Sequence, residues 1–471
     1  MVFSSSIFLF YFLPIFLLAY FITPFSHKNK TALLASLLFY LWGSPMFGFI
    51  LILSIIIDFY LGNQIFKSVD RKKKKRLLAM SVLLNVGLLV YFKYANFFIE
   101  NVNTIAHSLG IESVSWIEII LPIGISFFTF QKLSYIIDVY VGKDQPLKKL
   151  SDYALYILLF PQLIAGPIVR FNEIASQIKE RRNAHTIDNK LNGIFRFTIG
   201  LSKKLLIANT LGEQVDQVFG SAISELGATD AWIVIIAYAF QIYYDFSGYS
   251  DMAIGIGLML GFRFPENFNF PYISRSITEF WRRWHITLSN WMRDYLYIPL
   301  GGNHISQSRT YVNLCLVFLI SGLWHGAAWT FVLWGVFHGL FLILDRLFLK
   351  NILDNIGSFL SLTITFFFIL LGWVIFRAET YSMAIDYYTA LFSIKTSVLT
   401  FSNHFWAIFF IASIFVITPA FFRLEKKLAS VYNTIYFKGL LLKILATIVL
   451  LTLCITEVEV SSFNPFIYFR F

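Results

Sequence analysis

The sequence predicts an all-α polytopic membrane protein. Of its 471 residues, 57% are hydrophobic, 19% are aromatic and only 14% are charged, a composition far outside that of soluble globular proteins. The mean hydropathy of +0.68 agrees with this class. Cys315 and Cys454 lie in apolar stretches without metal-ligand spacing, so we expect neither a disulfide nor a metal site.

Apolar runs that could enter or cross a bilayer recur along the chain and predict roughly eleven spans. The runs lie near residues 7–23, 32–43, 47–66, 77–99, 116–137, 192–218, 230–246, 310–323, 327–344, 357–376, 404–422 and 439–457. The first run lacks both a basic n-region and a small-residue cleavage site, so we expect it to stay as the first span.

The formal net charge of +11 is concentrated in short loops between apolar runs. Basic blocks occur at 67–76, 143–149, 179–182 and 423–427, and the positive-inside rule places all four in the cytoplasm. The loop 100–115 has two glutamates and no lysine or arginine, as an external loop should. This pattern indicates topology and membrane lipid rather than nucleic acid as the partner of the charge. Within the first block, RKKKKR anchors on anionic lipid or, alternatively, docks an acidic carrier protein.

Two stretches depart from simple spans. Residues 153–168 are broken by Pro161, Gly166 and Pro167 and have basic residues on both sides; we expect this stretch to be re-entrant, because broken backbone is tolerated in a membrane only inside protein or a water-filled cavity. Residues 247–305 carry five arginines and few apolar runs, which places them at the cytoplasmic face. With no long polar linker, the chain is expected to form one membrane-embedded domain, 1–471, with core motifs in 121–345.

The segment 279–303 predicts an interfacial helix. On a helical projection, one apolar stripe faces a polar arc, which is typical of a helix lying in the membrane surface. The stripe holds Trp281, Trp284, Leu288, Trp291 and Tyr295, and the arc holds Glu279, Arg283, Thr287, Asn290 and Asp294. His285 falls between the two, either as a solvated interfacial residue or as a residue lining a substrate path.

The apolar segment 321–340 contains two histidines, His325 and His338. The apolar arm before it has only about 14 residues, short of the roughly 20 that a crossing needs, so we expect His325 at a turn inside the membrane. His325 has an ionisable ring in aromatic surroundings, which makes it a functional candidate. His338 is expected to be a packed residue that donates a hydrogen bond to a neighbouring helix.

Five stretches, in this order, resemble the membrane-bound O-acyltransferases. They are LPIGISFFTFQKLSYIIDVY at 121–140, FPQLIAGPIVRF at 160–171, QIYYDFSGYSDMAIGIGLMLGFRFPENFNFPY at 241–272, FWRRWHITLSNWMRDYLYIPLGGN at 280–303 and SGLWHGAAWTFVLWG at 321–335. The chain is most similar to the alginate O-acetyltransferase branch and more distantly to the teichoic acid D-alanyl transferase. The resemblance implies a multi-pass protein of the bacterial cytoplasmic (inner) membrane, with interfacial and re-entrant helices around a central funnel.

The resemblance also implies the site. It places the catalytic histidine at His325 and a second active-site histidine at His285, and an imidazole is a suitable base for removing a hydroxyl proton. Further candidates for substrate binding are Asp245, Ser247, Tyr249, Asp251, Trp324 and Asn290. The first four of these candidates either line the same tunnel or make helix-packing hydrogen bonds.

The implied reaction is acyl transfer without a bound cofactor. The donor would be acetyl-CoA or an acyl-carrier thioester at the cytoplasmic side, and the acceptor an exported polysaccharide or an extracytoplasmic acyltransferase partner. D-Alanyl or other acyl transfer to a cell-wall polymer is the alternative acceptor chemistry. A proton-coupled transporter is the alternative from another class, which Asp58 and Lys93 within spans would suit.

Overall fold

The computed structural model describes residues 3–221, 223–396, 399–422, 437–460 and 463–465. Helices are the regular structure of these ranges, within which no strand occurs. The predicted cytoplasmic block 423–427 lies outside the described residues. The chain divides into two compact units, one formed by Ile7–His185 with Gly261–Pro265 and the other by Val2–Ser6, Thr186–Leu260 and Glu266–Phe471.

The first unit contains eight α-helices. They are α1 (Leu13–Ile22), α2 (Lys28–Gly43), α3 (Gly48–Lys67), α4 (Arg71–Ser108), α5 (Ile125–Val141), α6 (Leu150–Leu158), α7 (Phe160–Leu163) and α8 (Phe171–Lys179). A π-helical turn, Ile7–Phe12, precedes α1, and 3₁₀ turns lie at Phe25–His27, Pro45–Phe47 and Arg182–Ala184.

A buried ion pair joins three helices of this unit. Asp58 on α3 lies 3.2 Å from the Lys132 ammonium on α5, and both side chains are fully buried. The Asp58 carboxylate also accepts hydrogen bonds from Ser81 and Asn85 on α4. Charged groups within apolar helices are costly unless paired, so these bonds give Asp58 a packing role that needs no transported ion.

The broken stretch 153–168 lies inside the protein. Helix α6 ends at Leu158, α7 covers only Phe160–Leu163, and all of these residues except the partly exposed Ala154 are buried. Hydrogen bonds from neighbouring groups satisfy the interrupted backbone: Gln162 donates to the Tyr156 carbonyl at 2.6 Å, and the Phe160 amide donates to Ser36 at 3.1 Å. These contacts fit a re-entrant segment, which stays a prediction.

Among the described residues, the second unit contains twelve α-helices. They are α9 (Ile187–Ser202), α10 (Thr210–Phe219), α11 (Ala228–Met259), α12 (Ile277–Arg283), α13 (Ile286–Met292), α14 (Gln307–His325), α15 (Trp329–Leu344), α16 (Lys350–Asn355), α17 (Ser358–Arg377), α18 (Tyr381–Leu391), α19 (Asn403–Phe422) and α20 (Phe437–Val460). π-Helical turns occur at Lys203–Asn209, Arg293–Tyr297 and Asp345–Leu349, and 3₁₀ turns at Ile223–Glu225 and Pro271–Ile273.

Six helices of the described ranges are long and apolar enough to cross a membrane. They are Pro45–Lys67, Arg71–Ser108, Trp329–Asn355, Ser358–Arg377, Asn403–Ala420 and Leu440–Val460. The predicted class, an all-α polytopic membrane protein, is therefore confirmed, and the chain is a multi-pass integral membrane protein. The figure of roughly eleven spans and the assignment of 1–471 to one domain stay predictions.

Several helix boundaries differ from the apolar pattern. Helix α4 continues to Ser108, so most of the predicted external loop 100–115 is helical. Helix α5 begins only at Ile125, later than the predicted 116, because Pro122 and the left-handed Gly124 interrupt the chain first. Helix α11 continues to Met259, well past the predicted end at 246, because its polar side chains find partners on α9 and the turn that follows it.

Glycines allow α9 and α11 to pack closely. A Cβ on Gly200 would lie 2.4 Å from the Gly248 carbonyl, and a Cβ on Gly193 would lie 2.6 Å from the Gly255 carbonyl. Both helices therefore place glycines seven residues apart at their contact, as small residues do where membrane helices approach. This contact fixes the position of α11, which carries one wall of the site.

Candidate active site

His325 is the last residue of α14, at the tip of the α14–α15 hairpin. Residues 326–328 form the turn, and α15 begins at Trp329, which confirms the predicted turn after His325. The helix before it has 19 residues, about 28 Å in length. The prediction of a short arm was wrong, because α14 starts at Gln307, before the apolar run, with Ser306 as its N-cap.

Aromatic rings enclose the His325 imidazole. The ring centroids of Trp324, Trp334 and Phe376 lie 5.0, 5.1 and 5.3 Å from that of His325, and His325 is only 5% exposed. These rings exclude water. The C-terminal end of α14 adds the negative end of the helix dipole at the same place.

The predicted interfacial helix 279–303 is broken at its centre. Helix α12 ends at Arg283, α13 begins at Ile286, and His285 between them has a left-handed backbone (φ 42°, ψ 54°). The five residues of the predicted stripe are each at most 8% exposed, so they face protein and not lipid. The single-helix prediction was wrong because backbone pairing with residues 267–269 replaces helical hydrogen bonding at 283–286.

His285 is fully buried and held by Asn267. Its Nδ1 lies 3.0 Å from the Asn267 Oδ1, and its ring packs edge-on against Phe246 with centroids 4.7 Å apart. No hydrogen-bond partner for the Nε2 of His285 occurs in the described ranges. Burial lowers the pKa of His285, which lies outside the six spans, from 6.5 to about 3. The imidazole is therefore neutral at physiological pH, and the solvated alternative for His285 is wrong.

Trp324 links the two histidines. Its ring centroid lies 6.1 Å from that of His285 and 5.0 Å from that of His325. Three residues that the sequence predicted for the site, His285, Trp324 and His325, therefore meet in one place. Asn290 lies half-buried on α13 and is not one of the residues that meet at Trp324.

Three of the four predicted residues of 245–251 contact other parts of the protein. Asp245 pairs with Lys204 at 2.8 Å, and Asp251 pairs with Arg196 at 2.6 Å and Lys203 at 2.7 Å. Tyr249 stacks on Phe3 with centroids 4.4 Å apart, and Ser247 is buried with no hydrogen-bond partner for its Oγ among the described residues. The helix-packing alternative thus describes Asp245 and Asp251 better than a tunnel lining.

The sequence reasoning missed four residues of the site: Phe246, Ser250, Asn267 and Thr287. Phe246 and Ser250 are four residues apart on α11, one helical turn, so a projection of that helix could have separated them from Asp245 and Asp251. Asn267 lies in a segment without helical periodicity, so no pattern signals it. Within the described residues, no group of three histidine, cysteine or carboxylate side chains could hold a metal ion.

His338 is a packed residue. It is 1% exposed, and its Nδ1 accepts a hydrogen bond from the Trp281 indole at 3.3 Å. The ring of Trp334 lies 4.8 Å away. Packing was predicted correctly, although at Nδ1 the imidazole accepts the interhelical bond instead of donating it.

Comparison with known proteins identifies the family. Residues 147–355 match the family described as "MBOAT, membrane-bound O-acyltransferase family". The probable alginate O-acetylase AlgI of Pseudomonas aeruginosa is 46% identical over 397 residues, which cover 84% of this chain and 76% of the relative. The peptidoglycan O-acetyltransferase of Helicobacter pylori is 40% identical over 418 residues, covering 82% and 78%.

A more distant relative has a different acyl group in its name. The teichoic acid D-alanyltransferase of Bacillus subtilis is 29% identical over 279 residues, which cover 55% of this chain and 69% of the relative. The region of this chain that matches the family, 147–355, contains His285, Trp324 and His325. The chain therefore belongs to the membrane-bound O-acyltransferase family and is an O-acyltransferase.

Proposed function

We propose that this protein passes an acetyl group from a thioester donor at the cytoplasmic face to an extracytoplasmic hydroxyl of an exported, alginate-like polysaccharide. The observation that carries the proposal is the meeting of two buried histidines on one tryptophan, at 6.1 and 5.0 Å. The similarity to proteins named alginate O-acetylases supports the acceptor class. The donor is acetyl-CoA or an acyl-carrier thioester, and the protein lies in the bacterial inner membrane.

In this mechanism His325 is the general base. It removes the proton from the acceptor hydroxyl as the oxygen attacks the thioester carbonyl. The new C–O bond forms, the C–S bond breaks, and the proton passes from the imidazole to the departing thiolate. The C-terminal end of α14 stabilises the imidazolium, while the surrounding rings keep out water that would hydrolyse the thioester.

Two further roles complete the proposal. His285 contacts the donor before transfer, because it lies on the segment that the sequence assigns to the cytoplasmic side. The acceptor hydroxyl belongs either to the polysaccharide itself or to an extracytoplasmic acyltransferase partner that carries the acetyl group onward. Trp324 contacts both histidines and so fixes the position of the imidazole that binds the donor relative to the imidazole that activates the acceptor.

A second acceptor class has a specific observation in its favour. The Helicobacter pylori relative, named a peptidoglycan O-acetyltransferase, covers nearly as much of the chain as the alginate relatives. A cell-wall glycan is therefore the second candidate acceptor. D-Alanyl transfer ranks behind it, because that relative covers only 55% of this chain.

Proteoliposomes of known orientation test the proposed direction. Labelled acetyl donor supplied only on the cytoplasmic side should acetylate an acceptor glycan, or a partner protein, supplied only on the other side. His285→Ala should reduce this transfer and His325→Ala should abolish it, with His338→Ala as the matched control on the same hairpin. If acceptor were modified only on the donor's side, the reaction would be one-sided and the proposal would fail.

A further inference from the structure

The segment that contains Asn267 contacts His285, one of the two histidines of the site. We propose that Asn267 is a positioning residue that keeps the proton of His285 on Nδ1 and so leaves its Nε2 as a hydrogen-bond acceptor. The inference rests on the proposed function only in giving His285 a part in acyl transfer. It adds a residue that the sequence did not predict.

The orientation of the Asn267 amide follows from its partners. The Thr287 amide N–H, which can only donate, lies 3.3 Å from Oδ1, and the Thr287 hydroxyl donates to the same atom at 2.8 Å. On the other side, the Asn267 Nδ2 donates to Ser250 on α11 at 3.1 Å. Because a backbone N–H cannot accept, the Asn267 atom that faces it is the oxygen. Turning the amide over would replace this hydrogen bond with two opposed N–H groups, although the Thr287 and Ser250 hydroxyls could each reverse their roles.

The tautomer of His285 follows from that orientation. Its Nδ1 lies 3.0 Å from the Asn267 Oδ1, and an amide oxygen accepts but never donates a hydrogen bond. The Nδ1 must therefore carry the proton. In a neutral imidazole the other nitrogen then has a free lone pair, and the low pKa of about 3 that burial gives His285 keeps the ring neutral.

Asn267 is itself held rigidly. Its carbonyl accepts from the Ile286 amide at 2.9 Å, and the Asn269 amide donates to the Arg283 carbonyl at 2.9 Å. The carboxylate of the neighbouring Glu266 accepts hydrogen bonds from both terminal nitrogens of Arg196, at 3.0 and 2.6 Å. Bidentate pairs of this kind fix geometry as well as adding energy, so the segment presents the amide to His285 in one position.

The lone pair on Nε2 limits what His285 does in the reaction. A neutral acceptor nitrogen binds an N–H or O–H group of the donor arm and orients it. It cannot donate a hydrogen bond to the oxyanion that forms on the thioester carbonyl. A second histidine in such a site could orient the donor or stabilise the oxyanion, and the acceptor nitrogen favours the first role.

Nitrogen-15 NMR of the full-length protein with labelled histidines reads the tautomer directly. The His285 signals are assigned by their loss in His285→Asn. At neutral pH we expect a protonated Nδ1 and an unprotonated Nε2 in the wild type. Asn267→Ala should convert this to the other tautomer or to a mixture, whereas Asn267→Asp, which keeps an acceptor oxygen, should not. Asn269→Ala, two residues along the same segment and exposed, is the matched control.

Two NMR results would overturn the proposal: an Nε2-protonated His285 in the wild type, or an Asn267→Ala spectrum with the wild-type tautomer. Neither outcome depends on activity. Conversely, wild-type transfer by His285→Ala would remove His285 from the proposed function and leave the tautomer assignment standing. The two failures are therefore distinguishable.

A double-mutant cycle shows whether Asn267 acts through His285. Asn267→Ala should lower acyl transfer about 5- to 30-fold, the loss expected for one hydrogen bond at a buried site, and Asn267→Asp should restore most of it. In a His285→Ala background, Asn267→Ala should cause little further loss, because coupled residues are not additive. An equal loss in both backgrounds would show that Asn267 acts independently of His285.

Discussion

At the scale of single residues, His325 and His338 show why chemistry cannot be assigned from residue type. Both lie on one hairpin and among aromatic rings, and both are at most 5% exposed. The Nδ1 of His338 accepts a hydrogen bond from Trp281, whereas His325 lies at a helix end against Trp324, whose ring also contacts His285. The sequence motif identified His285, Trp324 and His325, but Asn267 could not be predicted, because its role depends on bonds to residues 17 to 20 positions away along the chain.

Substituting these two histidines should have different effects. His325→Ala should lower acyl transfer by at least about 100-fold, the usual contribution of a general base, with normal membrane insertion and yield. His338→Ala should keep most activity and instead lower the thermal midpoint, because it leaves a cavity among packed rings. Transfer rates and melting curves of the purified variants measure both. Equal loss of activity with normal folding would contradict the packing role of His338.

Burial of His285 makes the stability of the protein depend on pH. Its folded pKa of about 3 lies below the ordinary 6.5, so between these values the unfolded chain binds a proton that the native chain does not. The free energy of unfolding therefore contains the full contribution of His285 above pH 6.5. This contribution falls as the pH is lowered and is smaller by about 2 kcal/mol at pH 5. The thermal midpoint should drop less between pH 7 and 5 in His285→Asn than in the wild type, and parallel curves would refute this.

At the scale of secondary structure, periodicity predicted where helices lie but not where they break. The stripe from Trp281 to Tyr295 has helical spacing, yet the chain turns at His285. The cause is non-local, since the backbone of 267–269 bonds to that of 283–286. The hairpin turn after His325 was predictable, because Gly326 follows the histidine and a second apolar run begins within three residues.

The α14–α15 hairpin should depend on its glycines. A Cβ on Gly335 would lie 2.4 Å from the Phe318 carbonyl, so Gly335→Ala must push the helices apart beside Trp334 and His325. We expect a lower thermal midpoint and reduced transfer. Gly87→Ala on α4 is the matched control, because a Cβ there meets open space. Equal behaviour of the two variants would show that the close approach is not needed.

Cysteine labelling tests the re-entrant segment. In a background without Cys315 and Cys454, cysteines at Lys148 and Lys179 should both react with a membrane-impermeant reagent from the cytoplasmic side. A cysteine at the exposed Glu112, in the predicted external loop, should react only from the other side. Opposite labelling of positions 148 and 179 would make 153–168 a full span.

At the scale of the whole molecule, hydropathy predicted the class of the protein and the order of the apolar helices. It did not predict which buried charged residues pair with each other. Each unit contains a buried ion pair, Asp58 with Lys132 in the first and Asp245 with Lys204 in the second. The partners in the first pair are 74 positions apart in the sequence, and those in the second are 41 apart. Such pairing depends on helix neighbours, which the pattern of a single helix does not contain.

Variants of the Asp58–Lys132 ion pair test whether these two residues serve packing or transport. Lys132→Met leaves a buried carboxylate without its cation and should destabilise the protein by about 3–5 kcal/mol. Adding Asp58→Asn should recover most of the yield and thermal midpoint, because no uncompensated charge remains. The double variant should also transfer acyl groups at near the wild-type rate. A stable but inactive double variant would mean that the pair takes part in the reaction.

The left-handed backbone at His285 narrows the set of residues that can occupy this position. Most side chains pay about 1 kcal/mol or more for such a conformation, β-branched ones most of all, whereas glycine, asparagine and aspartate pay least. Of these three, asparagine alone combines a neutral side chain with an N–H that could reach Asn267. Position 285 must therefore adopt a left-handed backbone and also donate a hydrogen bond to Asn267. Few amino acids meet both requirements.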